Sequence, residues 1–251
     1  MNYINLGKWS EENINHLIGE AAGIKAHGDR ITFISEQFLG VKYGEFTLTG
    51  NFERPEKFVV NLEYVDCFTF IDYVEAMRLS SSFLEFKENL KKVRYQAGKV
   101  AYGWRNHFFT DWIFNNRDFL EDVTKKVGGS ATGKILKFLN IKEDGTLYLE
   151  GINKRESEIS YIPSVSIDSS VVSMLKNGDY VGIYTEKAGL DVSHVGILVK
   201  KNNKVFLRHA SSLETNRKVV DQNLLEYLSA KPGILVLRPR DNNFLCKLNI
   251  A

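Results

Sequence analysis

Cysteine is scarce in this chain. Cys67 and Cys246 are the two in 251 residues, which rules out a disulfide framework. There is no His-Glu-x-x-His run and no closely spaced cysteine pair, so the usual zinc patterns are missing. Charge of one sign is missing too. With 33 Lys and Arg against 31 Asp and Glu, the net charge is +2, and Lys91-Lys92 and Lys125-Lys126 are ordinary solvated pairs. Nothing here argues for a nucleic-acid partner. No stretch is long and apolar enough to span a membrane. The start, Met-Asn-Tyr-Ile-Asn-Leu-Gly-Lys, lacks a basic segment followed by an apolar one, so no secretory signal is visible. Repeats and low-complexity segments are absent. Gly128-Gly129-Ser130 and Thr132-Gly133 lack the lysine-serine ending and the preceding strand of a phosphate loop, and read as loops.

What remains is a chain with 43% hydrophobic and 25% charged residues, the balance of a soluble globular protein. Its length fits one large domain or two small ones. Apolar spacing predicts an amphipathic helix over 11–22 and a second over 29–38 with Asp29 as its N-cap. Residues 46–50 and 58–62 are strand-like. A helix over 76–89 continues or follows one that starts near residue 66. Residues 171–175 make a short helical turn. Residues 180–186, 193–212 and 233–238 form an antiparallel sheet. A helix-rich first half and a strand-rich second half mean an α+β fold.

The most informative segment is Asp66-Cys67-Phe68-Thr69-Phe70. It joins the apolar run 58–62 to a helix marked by Phe70, Val74 and Met77. Asp66 suits the N-cap. Cys67 then lies in the first turn, where unpaired N–H groups and the helix dipole favour a thiolate. A cysteine in such a place is equally a small buried hydrophobe.

Two histidines downstream bear on that choice. Ser193-His194-Val195-Gly196-Ile197-Leu198-Val199 and Val205-Phe206-Leu207-Arg208-His209-Ala210-Ser211-Ser212 flank Lys-Lys-Asn-Asn-Lys, which reads as a hairpin. With Asn202-Asn203 as a two-residue loop, Lys201 faces Lys204, Leu198 faces Leu207 and Gly196 faces His209. Residues two apart share a face, so His194 and His209 are diagonal neighbours. Gly196 leaves room beside His209 for the second imidazole. In the same register Ser211 falls opposite His194. A helix-start cysteine and two imidazoles on one sheet face suit a nucleophile, a base and an orienter.

The ordered runs Asp-Cys-x-Thr-Phe, Ser-His-Val-Gly-Ile and Leu-x-His-Ala-Ser-Ser resemble the NlpC-type branch of the papain-like cysteine amidases. Within it the chain resembles the N-acetylmuramoyl-L-alanine amidase-like family. Phe38-Leu39-Gly40-Val41-Lys42-Tyr43, Val60-Asn61-Leu62, the stretch from Arg105 through His107 and Phe108 to Asp111-Trp112, Tyr161-Ile162-Pro163 and Gly189-Leu190-Asp191-Val192 match it in order. Phe108 stands where the family usually has Tyr. The resemblance implies a single papain-like NlpC-type domain over 1–251. Its nucleophile helix lies near 66–80, a helical insertion of about 76–160 shapes the cleft, and a β-rich part of about 161–240 bears the base. It implies a peptidoglycan amidase that cuts between N-acetylmuramic acid and L-alanine in muropeptide fragments, anhydro forms included, as a monomer without cofactor or metal. Cys67 maps to the nucleophile, His194 to the base and His209 to the orienting residue. Tyr43, Asp66, Arg105, His107, Asp111, Trp112, Tyr161, Asp191, Ser193 and Ser211 map around the substrate. Family members commonly work in the periplasm or envelope; without a visible signal the cytoplasm is the alternative.

Read as residues alone, the segment 102–115 is ambiguous. Tyr102, Trp104, Phe108, Phe109, Trp112 and Phe114 suit sugar rings, and equally a helix packed into a core. Asp191 is equally a turn residue. Three readings compete: a thiol amidase, with a stem-peptide endopeptidase as its near variant; a metal-dependent hydrolase using Cys67, His194 and His209 as ligands; and a non-catalytic muropeptide-binding module.

Overall fold

The structure, a computed structural model, describes residues 3–240; Cys246 lies outside the described residues. The chain opens with a short strand β1 (Tyr3–Asn5) and helices α1 (Glu11–Ala22) and α2 (His27–Glu36). Ser10 caps α1 through a capping box with Asn13. Its buried Ile14, Leu17, Ile18 and Ala21 recur at helical spacing, as expected for an amphipathic helix. The second helix starts two residues before the expected Asp29 cap, at an Ala26 N-cap with no side-chain bond. Residues 46–50 are not a strand. Phe46 sits at φ 54° and the segment loops, with one bridge between Thr49 and Lys57.

Strands β2 (Lys42–Tyr43), β3 (Val59–Asn61) and β4 (Tyr64–Val65) form two small parallel pairs, β1 with β3 and β2 with β4. They deliver the chain to α3 (Cys67–Arg78), which is buried from Thr69 to Arg78. A helix enclosed this way must pair its polar groups. Asp72 accepts from Arg94 Nε at 2.8 Å and from Trp112 Nε1 at 3.0 Å. Glu75 holds Arg78 in a double hydrogen bond at 2.9 and 2.6 Å and accepts from the Tyr180 hydroxyl at 2.8 Å. Removing one partner of such a buried pair costs about 3–5 kcal/mol.

Helices α4 (Phe83–Arg94) and α5 (Phe109–Asn115) follow, then β5 (Leu120–Asp122), α6 (Thr124–Gly128), β6 (Gly133–Leu139) and β7 (Arg155–Pro163). The expected helical insertion is therefore helical only in its first part. Its second part supplies three strands to the main sheet, because residues 133–139 and 155–163 pair with each other over their length. After α7 (Ser169–Met174) come β8 (Tyr180–Tyr184), β9 (Val192–Lys201), β10 (Lys204–Ala210), β11 (Val219–Asn223), α8 (Leu224–Leu228) and β12 (Gly233–Pro239).

One eight-stranded antiparallel sheet runs β11-β10-β9-β8-β12-β7-β6, with β5 added on β12. Alternation along each strand sends residues to two cores. On β12, Leu235 and Leu237 join the large core under α1 to α5, while Ile234 and Val236 join a second core under α6, α7 and α8. The α+β architecture is as expected.

Candidate active site

The sequence builds the start of α3 tightly. Asp66 Oδ1 accepts from the backbone N–H of Phe68 at 2.9 Å and Thr69 at 2.7 Å, and Thr69 Oγ1 accepts the Asp66 N–H at 3.0 Å. The other carboxylate oxygen takes the Thr47 hydroxyl at 3.0 Å. Asp66 thus serves as the cap of α3 and stays partly exposed. Cys67 follows in the first turn and is partly exposed.

The hairpin has the expected loop. Asn202 and Asn203 both adopt positive φ, 50° and 60°, as a type I′ turn demands. Lys201 pairs with Lys204 and Leu198 with Leu207, and the ladder ends at Ile197 with Arg208. On its other edge β10 pairs with β11 from Phe206–Asn223 to Ala210–Val219, with His209 opposite Val220. The β9–β10 ladder ends in a fork past Ile197 and Arg208; there the N–H of Val195 reaches the sulfur of Cys67, and α3 packs against both strands.

Both histidines stand at this fork. Their rings meet edge to face, 4.8 Å between centroids, with His194 Nε2 2.7 Å from His209 Nδ1. His209 Nε2 lies 2.6 Å from Gln222 Oε1. A Cβ on Gly196 would stand 3.0 Å from His209 Cβ, 2.8 Å from the Arg208 carbonyl and 2.7 Å from Leu207 Cδ1. Glycine is required there by space, as the hairpin parity predicts. A register shift in β9 next to Ile183 and Tyr184 bulges the strand at Ser193, and bulges re-aim the neighbouring side chain. Ser193 itself is exposed, with Oγ 3.4 Å from the Ile183 carbonyl.

The electrostatics correct one expectation. Burial, and then the Asp66 carboxylate, push the Cys67 thiol up to about 12, against the pull of the N–H groups of Val195, Cys67 and Phe68. Helix position alone does not make a resting thiolate here. Burial, with the His209 and Lys231 charges behind it, brings His194 down to about 3. His209 is lowered by burial too, against Gln222 and Asp221. These directions leave the thiol and both imidazoles neutral at rest.

Two tyrosines border it. Tyr43 feels the charges of Cys67 and Asp66, and Arg217 lies over its ring at 4.9 Å. Tyr227 packs its ring 5.2 Å from His209 and 6.3 Å from His194, and burial and Cys67 raise it to about 12. Among the described residues neither hydroxyl has a hydrogen-bond partner.

The other residues expected around the substrate have partners within the protein. Arg105 pairs with the buried Glu56 at 3.3 Å and lies over Tyr102 at 5.1 Å. His107 bonds the Tyr102 carbonyl at 2.8 Å and is lowered to about 4, chiefly by burial. Asp111 is held by Arg155 and accepts the Phe108 N–H at 3.3 Å. Trp112 is fully buried between Phe109 and Tyr180, so its expected substrate face is core. Asp191, also buried, accepts the N–H of Thr110 at 2.7 Å and joins α5 to β9. Tyr161 stacks on Tyr184 at 4.0 Å. Ser211 is buried behind the fork, its N–H on Lys218, and does not face His194 across a ladder. Gln222 and Tyr227 gave no signal in the sequence, since nothing in their spacing marks a strand or helix aimed at a site.

A metal between the histidines fits poorly. Two imidazole nitrogens 2.7 Å apart are at hydrogen-bond distance, too close to stand on one ion at about 2.0–2.1 Å each in tetrahedral array. Among the described residues no group of three or more His, Cys, Asp or Glu is placed to hold a metal ion, and no helix is long and apolar enough to cross a membrane.

The fold is an α+β architecture on an eight-stranded antiparallel sheet, with Cys67 at the start of α3 and two bonded imidazoles on neighbouring strands. The sequence matches the AmiA-like, N-acetylmuramoyl-L-alanine amidase-like family over residues 33–234, and the chain belongs to that family. A Bacteroides uniformis structure named N-acetylmuramoyl-L-alanine amidase is 31% identical, with TM-score 0.72, covering 85% of this chain and 99% of that one. A Legionella pneumophila protein structure is 26% identical with TM-score 0.77, covering 91% and 94%. No curated protein matches. The family suggests a hydrolase with peptidoglycan amidase activity in general.

Proposed function

We propose that the protein is a cysteine-dependent amidase with a papain-like NlpC-type site, cutting the bond between the lactyl group of N-acetylmuramic acid and L-alanine in muropeptides. The observation that carries this is the Cys67 sulfur taking the N–H of Val195, the residue next to His194, whose ring bonds His209 at 2.7 Å. The Cys67 sulfur attacks the amide carbonyl while His194 takes the thiol proton. Because thiol and imidazole rest neutral, that transfer accompanies attack. His194 then gives the proton to the departing L-alanine nitrogen, leaving a lactyl thioester. Water, deprotonated by His194, hydrolyses it and restores the thiol. Tyr43 and Tyr227 have hydroxyls free to donate to the developing oxyanion. A partner in the cell envelope suits such a substrate.

Digestion of defined muropeptides followed by mass spectrometry, with and without a chelator, tests this. Muramyl-L-alanine fragments should be cut and chelation should change nothing. Release of L-alanyl-D-glutamate from a sugar-free stem peptide would place the chain with endopeptidases instead. Loss on chelation with recovery by zinc would sink the thiol mechanism.

A further inference from the structure

We infer that Gln222 is a positioning residue that fixes the tautomers of both site histidines and so decides whether the His194 nitrogen left for the Cys67 thiol carries a lone pair or a proton. This deepens the thiol reading and rests on it.

The inference follows from atoms in line. Gln222 Oε1 lies 2.6 Å from His209 Nε2, and His209 Nδ1 lies 2.7 Å from His194 Nε2. An amide oxygen only accepts, so His209 carries its proton on Nε2. A neutral imidazole has one N–H, so His209 Nδ1 must accept. His194 therefore carries its proton on Nε2 and keeps a bare lone pair on Nδ1, which has no partner among the described residues. That lone pair is the only place for the thiol proton. Were the Gln222 amide turned, with its NH₂ toward His209, every proton in the line would reverse. His194 would then present an N–H to the sulfur and have no base to offer. A positioned amide at 222 thus separates an active site from an inert one with identical carbon positions.

The surroundings explain why an amide serves there better than a carboxylate. Gln222 sits on β11 opposite Leu207, and its neighbour Asp221 is opposite Arg208. The Asp221 carboxylate is held by Arg208 in a double hydrogen bond at 2.7 and 2.9 Å, with Lys201 at 3.5 Å. The other titratable groups around the pair are Tyr227 on α8, Lys231 just beyond it, and Cys67 on α3. A carboxylate at 222 would add a negative charge directly on His209 and favour an imidazolium. The uncharged amide gives the same acceptor without that charge.

The test uses the full chain, labelled with ¹⁵N-histidine, and three proteins: the native one, Gln222→Met and Gln222→Glu. The native spectra should show Nε2–H tautomers for both His194 and His209. Gln222→Met should give mixed tautomers, slow iodoacetamide alkylation of Cys67 about tenfold or more, and lower kcat about 10–100-fold with little change in KM, part of the ~10²–10⁴ a positioned base supplies. Gln222→Glu keeps the acceptor, so it should retain more kcat than the Met variant. Its added charge should raise the imidazole pKa, moving the acid limb of kcat/KM and of alkylation to higher pH. An Nδ1–H tautomer at either histidine in the native protein overturns the inference. So does a Met variant with unchanged tautomers and alkylation, or a Glu variant with an unmoved acid limb. Spectra and alkylation need no muropeptide, so a failure to cut muramyl-L-alanine would sink the substrate reading and leave the tautomer result standing.

Discussion

The β9–β10 hairpin and the aromatic segment 102–115 look equally rich in functional side chains, and the fold treats them in opposite ways. In the hairpin the polar groups face one another: His194 bonds His209, which bonds Gln222. In the aromatic segment each polar group is paired inward. Arg105 goes to Glu56, His107 to a carbonyl, Asp111 to Arg155, and Trp112 to the buried Asp72. The first leaves His194 Nδ1 without a partner among the described residues; in the second, Arg105, His107, Asp111 and Trp112 all have partners within the protein. Sequence composition does not separate these cases. The fate of each lone pair and each proton does.

The comparison breaks most sharply under paired substitutions. Cys67→Ala and His194→Ala should abolish amide cleavage while circular dichroism and the thermal midpoint change little, since each removes chemistry from a partly open position. Trp112→Ala should do the reverse. It should cost about 3–5 kcal/mol in urea unfolding, yet leave Cys67 alkylation intact in the fraction still folded. A stable Trp112→Ala protein with dead chemistry would put the aromatic segment in the site after all.

Gly196→Val should be nearly as severe as loss of the base, because its Cβ must displace Leu207, the Arg208 carbonyl or His209. We expect both lost turnover and about 1–3 kcal/mol of strain. A crystal structure of the variant showing the two imidazoles still bonded would contradict this account of the glycine.

Arg105→Ala should cost about 1–3 kcal/mol through the buried Glu56 it leaves with Tyr95 alone. Turnover per folded molecule should fall less than tenfold. A far larger loss confined to glycan-bearing fragments would return Arg105 to the substrate.

The gentlest probe is pH. His194 is buried neutral, lowered from 6.5 to about 3. Below pH 6.5 the unfolded chain binds a proton that the folded one refuses, so the stabilisation present above 6.5 is lost as pH falls. Its share of the slope should approach about 1.4 kcal/mol per pH unit between the two values, beside the shares of His107, lowered to about 4, and His209, also lowered. Urea midpoints measured from pH 7 to pH 4.5 should show the combined slope, and His194→Gln should reduce it by that share. An equal slope in the variant would assign the effect to other groups.

Much of this was legible in advance. The Asp66 cap, the two-asparagine turn and the spacing of His194, Gly196 and His209 are local patterns, and local patterns dictate backbone geometry. Each appears in the fold as read. Partners distant in sequence were not legible. Nothing near Gln222 or Tyr227 marks them, because their place depends on how β11 and α8 pack beside β10. The same limit applies to Trp112 and Asp191: hydrophobic density and a turn-prone carboxylate do not reveal which buried atom will receive them. The strands at 133–139 and 155–163 were missed inside the presumed helical insertion, since each is stabilised by the other. For Cys67 the helix-start position is legible in the sequence, while the degree of burial and the nearness of the Asp66 charge, which push its thiol up, belong to the fold.

The neutral resting state of Cys67 also bears on chemical durability. Peroxides and small disulfides attack thiolates, and the rate follows the thiolate fraction and its access. A thiol held protonated until a carbonyl arrives gives such oxidants little to react with. Under the proposed mechanism, the burial that delays attack until substrate is bound also shields the sulfur from sulfenic acid and mixed disulfides, and no second cysteine stands among the described residues to rescue it.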